Sequence, residues 1–156
     1  MEVGPSHRFL DIGCGKGFLS IPASNIVGSD GVVYAVDVSE EYLKELTQRI
    51  RELGIQNIHV INTSAEKLEN VPDNSIDRAA FLFSLHHVED VEAAFHRVRK
   101  KLRKTGLLYI LDPVKSRFFG HGTNPSKTMK LLEGMGFRIK LFREGLFLWK
   151  LLAEPV

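Results

Sequence analysis

Arg8-Phe-Leu-Asp-Ile-Gly-Cys-Gly-Lys-Gly-Phe18 joins a short apolar run to three alternating glycines, Gly13, Gly15 and Gly17. The run from Phe9 to Ile12 predicts a buried strand, and a helical segment begins after the glycines. Glycine adopts backbone dihedrals forbidden to other residues and lets the chain approach a ligand closely. The helix behind the loop presents unpaired N–H groups and the positive end of its dipole. This order predicts a cradle for an anionic or nucleotide-like ligand.

The spacing of the glycines separates two kinds of nucleotide site. In the dinucleotide fingerprint G-x-G-x-x-G the third glycine allows close helix–strand packing, but counting from Gly13 that position holds the bulky Phe18. The pattern here is D-x-G-x-G-x-G, and Asp37 closes a second apolar run. A carboxylate there can accept hydrogen bonds from both ribose hydroxyls of an adenosine. A tight turn with a helix-capping Asp is the alternative, and the joint spacing favours the adenosine site.

Length and composition fit one domain, which we expect to span residues 1–156. Hydrophobic residues at 44% and charged residues at 26% are ordinary for a globular protein, and a formal charge of +2 is too small to indicate nucleic acid or membrane. Cys14 is the only cysteine, which favours a reducing compartment. No apolar run reaches membrane-span length and no signal-peptide layout is present. We expect a cytoplasmic protein.

Apolar runs alternate with amphipathic segments along the chain. Strands are predicted at Val32–Asp37, Asn57–Asn62, Ile76–Leu85, Leu107–Leu111, Phe137–Phe142 and Leu146–Leu152, with a hairpin at Glu144-Gly145 and a loop over Asp112–Pro125. Helices are predicted after the N-caps Ser20, Ser39 and Asp90, and over Ser126–Met135. The pattern predicts an α/β fold with a doubly wound, Rossmann-like seven-stranded sheet, mostly parallel with an antiparallel C-terminal hairpin strand.

Several further short motifs lie along the chain. Beyond the glycine loop they are Val36-Asp-Val38, Ala65-Glu66, Pro72-Asp-Asn-Ser-Ile-Asp77, Leu85-His-His-Val88, Leu102-Arg-Lys-Thr-Gly106 and Gly136-Phe137. With these motifs the chain resembles the type 11 group of class I S-adenosylmethionine (SAM) methyltransferases, similar to the ubiquinone/menaquinone-biosynthesis enzymes, over roughly residues 8 to 150. The resemblance implies that the seventh strand lies antiparallel between the fifth and the sixth.

The resemblance also implies where SAM, and the product S-adenosylhomocysteine, would lie: across the carboxyl ends of strands one to four. The glycines would approach the methionine moiety, with Asp11 near its ammonium group, and Asp37 would hold the ribose. Val38 would lie against the adenine face and Ala65 would offer its backbone N–H to the ring. Phe83 and Ser84 would line the sulfonium region. The neighbouring residues Cys14, Phe18, Ser64 and Glu66 complete the predicted cofactor-binding set.

Two features depart from the family pattern. Ser64 stands where many relatives have an acidic residue that accepts a bond from the adenine amino group, so we expect this bond without charge assistance. About seven residues precede the first strand, where relatives carry helices that cover the substrate. The domain is therefore expected to lack most of the usual N-terminal cap. Its site would be open, covered by a partner subunit in a homo-oligomer, or assembled by the loop Asp112–Pro125.

Methyl transfer needs mainly orientation of the acceptor, and a general base only where the acceptor loses a proton. His86 and His87 end the fourth predicted strand, where consecutive side chains point to opposite faces, so one of them faces the pocket. We choose His87 as the catalytic candidate; the alternative is a loop histidine bonded to backbone. Adjacent histidines without carboxylate or cysteine partners predict no metal site. Asp112 is a second candidate base, with a turn or capping role before Pro113 favoured.

The cationic run Arg97, Arg99, Lys100, Lys101, Arg103 and Lys104 lies at a predicted helix C-terminus and lacks interleaved aromatic residues, which favours a solvated face over a nucleic-acid surface. Ser84 to His87 stands where amino-group methylases of DNA carry Asn-Pro-Pro-aromatic. We therefore expect a small-molecule substrate and no nucleic acid. The leading hypothesis is a SAM-dependent methyltransferase. The alternatives are a SAM-binding module that needs a partner chain and a nicotinamide-dinucleotide protein.

Overall fold

A computed structural model describes residues 2–116 and 120–156. Its helices and strands alternate along the chain. They are β1 (Arg8–Ile12), α1 (Ser20–Val27), β2 (Val32–Asp37), α2 (Glu40–Glu52), β3 (Ile58–Asn62), β4 (Ile76–Leu82), α3 (Val91–Lys101), β5 (Leu102–Pro113), α4 (Pro125–Gly134), β6 (Phe137–Glu144) and β7 (Leu148–Pro155). A single 3₁₀ turn, Leu85–His87, lies between β4 and α3.

The strands form one seven-stranded sheet in the order β3-β2-β1-β4-β5-β7-β6. β1 to β5 pair in parallel, whereas β7 lies antiparallel between β5 and β6. The predicted doubly wound sheet and the place of its antiparallel strand are confirmed. The chain order reverses between β1 and β4, and open α/β sheets bind their ligands at the carboxyl ends of strands beside such a point.

Both faces of the sheet are covered, which explains why its central strands are continuous apolar runs. Alternate residues point to opposite faces, so Phe9 packs towards α1 with Val27 and Val33. Leu10 and its neighbours pack on the other face in the largest cluster of buried residues. That cluster includes Phe81, Phe95, Leu132 and Trp149, and it joins the sheet to α3 and α4.

Two predictions at the carboxyl edge are wrong. β4 ends at Leu82 instead of Leu85, because Phe83 has a left-handed φ of 53° and the chain then folds into the 3₁₀ turn. Leu85 is fully buried within that turn, so it extended the apolar run without extending the strand. Ser20 does not cap α1: Leu19 holds the N-cap position without a side-chain bond, and the Ser20 hydroxyl donates to Asp11. The caps at Ser39 and Asp90 are confirmed.

In the second half of the sheet, the strands begin and end at residues other than those predicted. β5 begins at Leu102 and includes Asp112, and the hairpin turn spans residues 145–147 instead of Glu144-Gly145. In the structure, the first two residues of the predicted loop Asp112–Pro125 belong to β5 and its last residue belongs to α4. Arg117 to Phe119 of this loop lie outside the described residues. Across the described ranges, no helix combines the length and the apolar composition needed to cross a membrane.

The cationic run at the end of α3 and the start of β5 makes contacts within the fold. The Lys101 ammonium donates to the Val71 carbonyl and to Asp73, both at 2.7 Å, and Arg103 pairs with Asp77 at 2.7 Å. Lys101 is only 8% exposed, so the prediction of a solvated face is wrong for this residue. Its aliphatic stem is buried while its charge meets a carboxylate, which satisfies both parts of the side chain.

Substitution of the α4 N-cap residue measures how much this hydrogen bond at the helix terminus contributes to stability. The Asn124 side chain accepts from the Lys127 N–H at 3.0 Å, and Pro125 holds the first helical position. We expect Asn124→Ala to lower the free energy of unfolding by about 1 kcal/mol because that N–H loses its partner. Ser126→Ala, on an exposed residue of the same turn, is the matched control and should change it by less than about 0.5 kcal/mol. Equal values for the two variants in urea unfolding would contradict this.

Candidate functional site

A cavity of about 920 Å³ opens at the carboxyl ends of β1, β2 and β4. Its wall comes from four segments: the glycine loop, the end of β2 with the start of α2, the residues after β3, and the residues from β4 to α3. The lining residues are Ile12, Gly13, Gly15, Val36, Asp37, Val38, Ser39, Tyr42, Thr63, Ser64, Ala65, Glu66, Phe81, Phe83, Ser84, His87, Val88, Glu89 and Asp90. The predicted Asp11, Cys14, Gly17 and Phe18 are outside this set.

Gly13 packs closely against Ser84, which follows the end of β4. It has a φ of +73°, and a Cβ at this position would lie 2.4 Å from the Ser84 Cβ. The Ser84 hydroxyl donates to the Ile12 carbonyl at 2.5 Å, while the N–H groups of Gly13 and Cys14 donate to the Val36 carbonyl. The loop is thus joined to both neighbouring strands, and only glycine fits at position 13.

Gly17 serves packing, at the far side of the loop. A Cβ on Gly17 would lie 2.3 Å from the Leu46 Cδ1 of α2, and its φ is +83°. The third glycine of the motif therefore lets α2 approach the loop. The next residue, Phe18, is 82% exposed. Cys14 is buried against α2 with Ala35 and Leu46, and burial raises the pKa of its thiol above the usual range, which keeps it protonated.

Asp37 ties the glycine loop to the end of β2. One carboxylate oxygen accepts from the Gly15 N–H at 2.8 Å and the other accepts from the Ser39 N–H at 2.9 Å. Asp37 lines the cavity, and each carboxylate oxygen has a second lone pair free to accept from a ligand. The residue predicted to bind a ribose therefore also holds the loop in place.

Asp11 lies beneath the cavity, inside the protein. It shares a sheet face with Phe9, under α1, where the Ser20 hydroxyl donates to it at 2.6 Å. Burial raises the pKa of Asp11 to about 6; the Ser20 bond opposes this rise and the charge of Asp37 adds to it. The two carboxylates thus repel one another, and a cation bound above them would stabilise both ionised forms.

The segment after β3 forms another part of the cavity wall. The Glu66 carboxylate accepts from the Asp90 N–H at 3.3 Å. Burial acts to raise the pKa of Glu66, but hydrogen bonds from the Ser64 hydroxyl and from backbone amides outweigh it and lower the pKa. Because the Ser64 hydroxyl donates to Glu66, its oxygen is left as an acceptor towards the cavity. Ser64 can therefore accept from an amino group, as predicted for this position.

The charges of the cavity wall have one sign. The acidic side chains are Asp37, Glu66, Glu89 and Asp90, and among the described lining residues there is neither lysine nor arginine. This field attracts a ligand with a net positive charge, such as SAM, and repels the pyrophosphate of a dinucleotide. Over the described ranges no three His, Cys, Asp or Glu side chains group closely enough to hold a metal ion.

The 3₁₀ turn, and not strand alternation, separates the two histidines. His87 is exposed and lines the cavity, whereas the His86 Nδ1 lies 2.8 Å from a carboxylate oxygen of Asp112. Asp112 is fully buried within β5, so its expected turn or capping role is wrong. Phe83, just before the turn, keeps its left-handed φ at the cavity wall, the kind of strain that clusters at functional sites.

Several lining residues were missed from the sequence. Four of them were read from the sequence only as residues of helix starts and turns: Ser39, Tyr42, Glu89 and Asp90. Those local roles gave no indication that the same residues also line the cavity. Since helices that follow parallel strands begin at the carboxyl edge, every N-cap and first turn after a strand is a candidate wall residue. That rule would have found Ser39, Tyr42 and Asp90, whereas Glu89 precedes the α3 N-cap by one residue.

Comparison with known proteins agrees with this geometry. A family model described as a methyltransferase domain matches residues 4–142. The chain belongs to the methyltransferase-domain family. It is 31% identical over 120 residues to a demethylmenaquinone methyltransferase of Geobacillus kaustophilus, covering 77% of this chain and 51% of the relative. It is 33% identical over 109 residues to a ubiquinone/menaquinone biosynthesis C-methyltransferase of Vibrio cholerae, covering 69% and 42%. The predicted resemblance to this group is confirmed.

The chain spans about half the length of the curated relatives it matches. A SAM-dependent methyltransferase from Aquifex aeolicus has a TM-score of 0.86 at 25% identity, covering 99% of this chain and 85% of that one. The [4+2]-cyclase SpnF also has a TM-score of 0.86, at 17% identity, covering 98% and 76%. At that identity the likeness shows the fold alone, and one fold hosts different reactions.

The two glycines at the cavity provide a matched pair of variants. Gly13→Ala adds both left-handed backbone strain and the contact with Ser84, so we expect a loss of about 2–4 kcal/mol in the free energy of unfolding. Gly15 has a φ of +51° but nothing within 4 Å of a Cβ, and Gly15→Ala should cost about 1–2 kcal/mol from strain alone. Urea unfolding measures both. A loss for Gly13→Ala no larger than that for Gly15→Ala would contradict the close approach.

Proposed function

We propose that the protein is a SAM-dependent methyltransferase that acts on a small molecule. The observation that carries this proposal is Asp37, which lies between the glycine loop and the cavity with lone pairs still free. Family membership and the acidic cavity wall support it. The same wall disfavours a nicotinamide dinucleotide, whose pyrophosphate would meet carboxylates.

The residues present fit this cofactor. Asp37 would accept from the ribose hydroxyls, Val38 would pack on the adenine, and Ser64 with the Ala65 N–H would meet the edge of the ring. Gly13 and Gly15 would lie against the methionine moiety, and Asp11 would act from beneath through its charge. Phe83 and Ser84 would lie on the side of the sulfur. When bound, SAM supplies a methyl group on a positively charged sulfur.

The protein's own contribution to the reaction is chiefly to orient the acceptor. His87 lines the cavity beside Phe83 and Ser84, where it would take the acceptor's proton if the acceptor must lose one. Nothing else is required of the side chains when the acceptor is already nucleophilic. We therefore propose His87 as the candidate base and treat the remaining wall as binding surface.

We propose a reduced quinone as the first acceptor to assay, since the relatives are named for demethylmenaquinone and for ubiquinone/menaquinone biosynthesis. We also propose a cytoplasmic location, which the single cysteine supports, and a single domain, which the single sheet supports.

Three apolar side chains are exposed beside the glycine loop and the cavity, those of Phe18, Val38 and Phe83. Burial of these apolar side chains would favour cover by a second copy or by the acceptor itself.

Methyl transfer from radiolabelled SAM to reduced, short-chain demethylmenaquinone tests the activity. We expect labelled product with the purified chain, and Asp37→Ala should weaken SAM binding at least 10-fold because a charged acceptor of two hydroxyls is lost. Asp30→Ala removes an exposed carboxylate from the α1–β2 turn and should leave binding unchanged. Unchanged SAM affinity in Asp37→Ala would refute the ribose assignment. SAM binding without turnover on any acceptor would instead favour a binding module that needs a partner chain.

SAM affinity should depend on pH through Asp11. In the free protein its pKa is about 6, and a bound cation favours the ionised carboxylate, so binding releases a proton below that pH. We expect the Kd for SAM to rise as pH falls from 7 to 5, by up to about 10-fold per unit below pH 6.

Calorimetry at pH 5, 6 and 7, in buffers of different ionisation enthalpy, measures this proton release. Asp11→Asn keeps an acceptor for the Ser20 hydroxyl and should abolish the dependence. Ser20→Ala removes the bond that lowers the pKa of Asp11, so it should move the dependence to higher pH. The same Kd at all three pH values in the unmodified protein would show that Asp11 is not coupled to the ligand.

A further inference from the structure

A chain of hydrogen bonds runs from the interior of the sheet to the pair of histidines. The Trp149 indole N–H donates to the Thr123 hydroxyl at 3.1 Å. The Thr123 hydroxyl is 2.8 Å from one Asp112 carboxylate oxygen, and the other Asp112 oxygen is 2.8 Å from the His86 Nδ1. Beyond it, the rings of His86 and His87 have centroids 4.1 Å apart. None of the first three residues lines the cavity.

The Trp149 indole N–H determines which atoms donate and which accept along this chain of hydrogen bonds. An indole N–H can only donate, so the Thr123 oxygen is an acceptor there and its own hydrogen is free to point to Asp112. Asp112 then accepts from Thr123. Burial, the largest influence, raises the pKa of Asp112, while its hydrogen bonds with the His86 and Thr123 side chains and with the His86 backbone favour the ionised carboxylate. An ionised Asp112 can only accept, so the proton shared with His86 belongs on Nδ1.

The partners that set this direction are held rigidly. Asp112 and Trp149 face each other across β5 and β7, and both are almost completely buried. Thr123 is fixed by backbone bonds, since its N–H donates to the Pro113 carbonyl and its carbonyl accepts from the Lys115 N–H, each at 3.0 Å. The carboxylate of Asp112 therefore has little freedom to turn away from His86.

We propose that Trp149, Thr123 and Asp112 hold His86 in the tautomer with the proton on Nδ1, and that His86, so held, fixes the ring of His87 at the cavity wall. His86 and Asp112 are positioning residues in this arrangement. The inference rests on the proposed function only for the role of His87 towards an acceptor. The tautomer and the ring contact exist without SAM or acceptor, and they can be measured in the protein alone.

The tautomer is read from long-range ¹H–¹⁵N spectra of protein labelled with ¹⁵N-histidine, recorded at about pH 9, where an ordinary histidine is neutral. We expect Nδ1 of His86 to be protonated. In Asp112→Asn, Thr123 still needs an acceptor, which keeps the amide oxygen towards Thr123 and turns the amide NH₂ towards His86. Nδ1 must then accept, so we expect the proton to move to Nε2.

Two further variants complete this test. Thr123→Ser keeps the hydroxyl and should leave the Nδ1 proton in place. Asp112→Ala removes the partner of His86 and should convert His87 from a single χ1 rotamer, measured by three-bond couplings, to an average of rotamers. His86 protonated on Nε2 and not on Nδ1 in the unmodified protein would overturn the assignment even if every variant failed to fold. Averaged χ1 couplings for His87 in the unmodified protein, or a single rotamer in Asp112→Ala, would overturn the positioning of His87.

SAM affinity separates this inference from the proposed function. Asp112 and Thr123 are outside the cavity wall, so Asp112→Asn should bind SAM within about 2-fold of the unmodified protein while its tautomer changes. Loss of SAM binding together with an unchanged tautomer would contradict the inference. If the unmodified protein binds no SAM but shows the Nδ1 proton, the proposed function fails and the inference stands.

Discussion

The bond between the Asp37 carboxylate and the Gly15 N–H is the contact on which the site depends. It connects the loop after β1 to the end of β2, while the Ser39 N–H holds the other carboxylate oxygen at the start of α2. One side chain therefore positions the loop after β1, the end of β2 and the start of α2. Because both oxygens are already oriented by backbone donors, a ligand that needs two acceptors meets a carboxylate that does not have to reorganise.

The same region carries unfavourable electrostatics in the absence of a ligand. Asp11 and Asp37 repel one another, and burial holds the pKa of Asp11 near 6. Three further carboxylates along the wall, those of Glu66, Glu89 and Asp90, add to the negative field. The repulsion between Asp11 and Asp37 is destabilising by itself, and a cation bound in the cavity would relieve it. A site strained in this way is typical of proteins in which stability is given up for binding.

Much of the fold was predictable because local signals and tertiary packing agree. The apolar runs of β1 and β2 are buried on both faces, and the caps at Ser39 and Asp90 close their helices as expected. The prediction was wrong where a distant partner decides the local structure. Leu85 looks like strand but is buried in a turn, and Lys101 looks like surface but meets Asp73, 28 residues away.

The half of the candidate site that we propose for the cofactor carries local sequence signals, and the half that we propose for the acceptor carries fewer. Glycine spacing and Asp37 are local features, and both lie at the cavity. The contact between His86 and Asp112 spans 26 residues, as does that between Thr123 and Trp149. The first joins the turn after β4 to β5, and the second depends on the antiparallel placement of β7 beside β5. Sequence spacing carries no signal for such contacts, because two chain segments must first be packed together.

Parallel calorimetric titrations of the purified protein with SAM, S-adenosylhomocysteine and NAD⁺ test the central claim most directly. The geometry of Asp37 predicts that the two adenosyl ligands bind, and the acidic wall, which would meet the pyrophosphate, predicts that NAD⁺ does not. Both adenosyl ligands should also lose affinity together when Asp37 is changed to alanine, since they share the ribose. Binding of NAD⁺ in preference to SAM, or no binding of either adenosyl ligand, would contradict the assignment of this cavity.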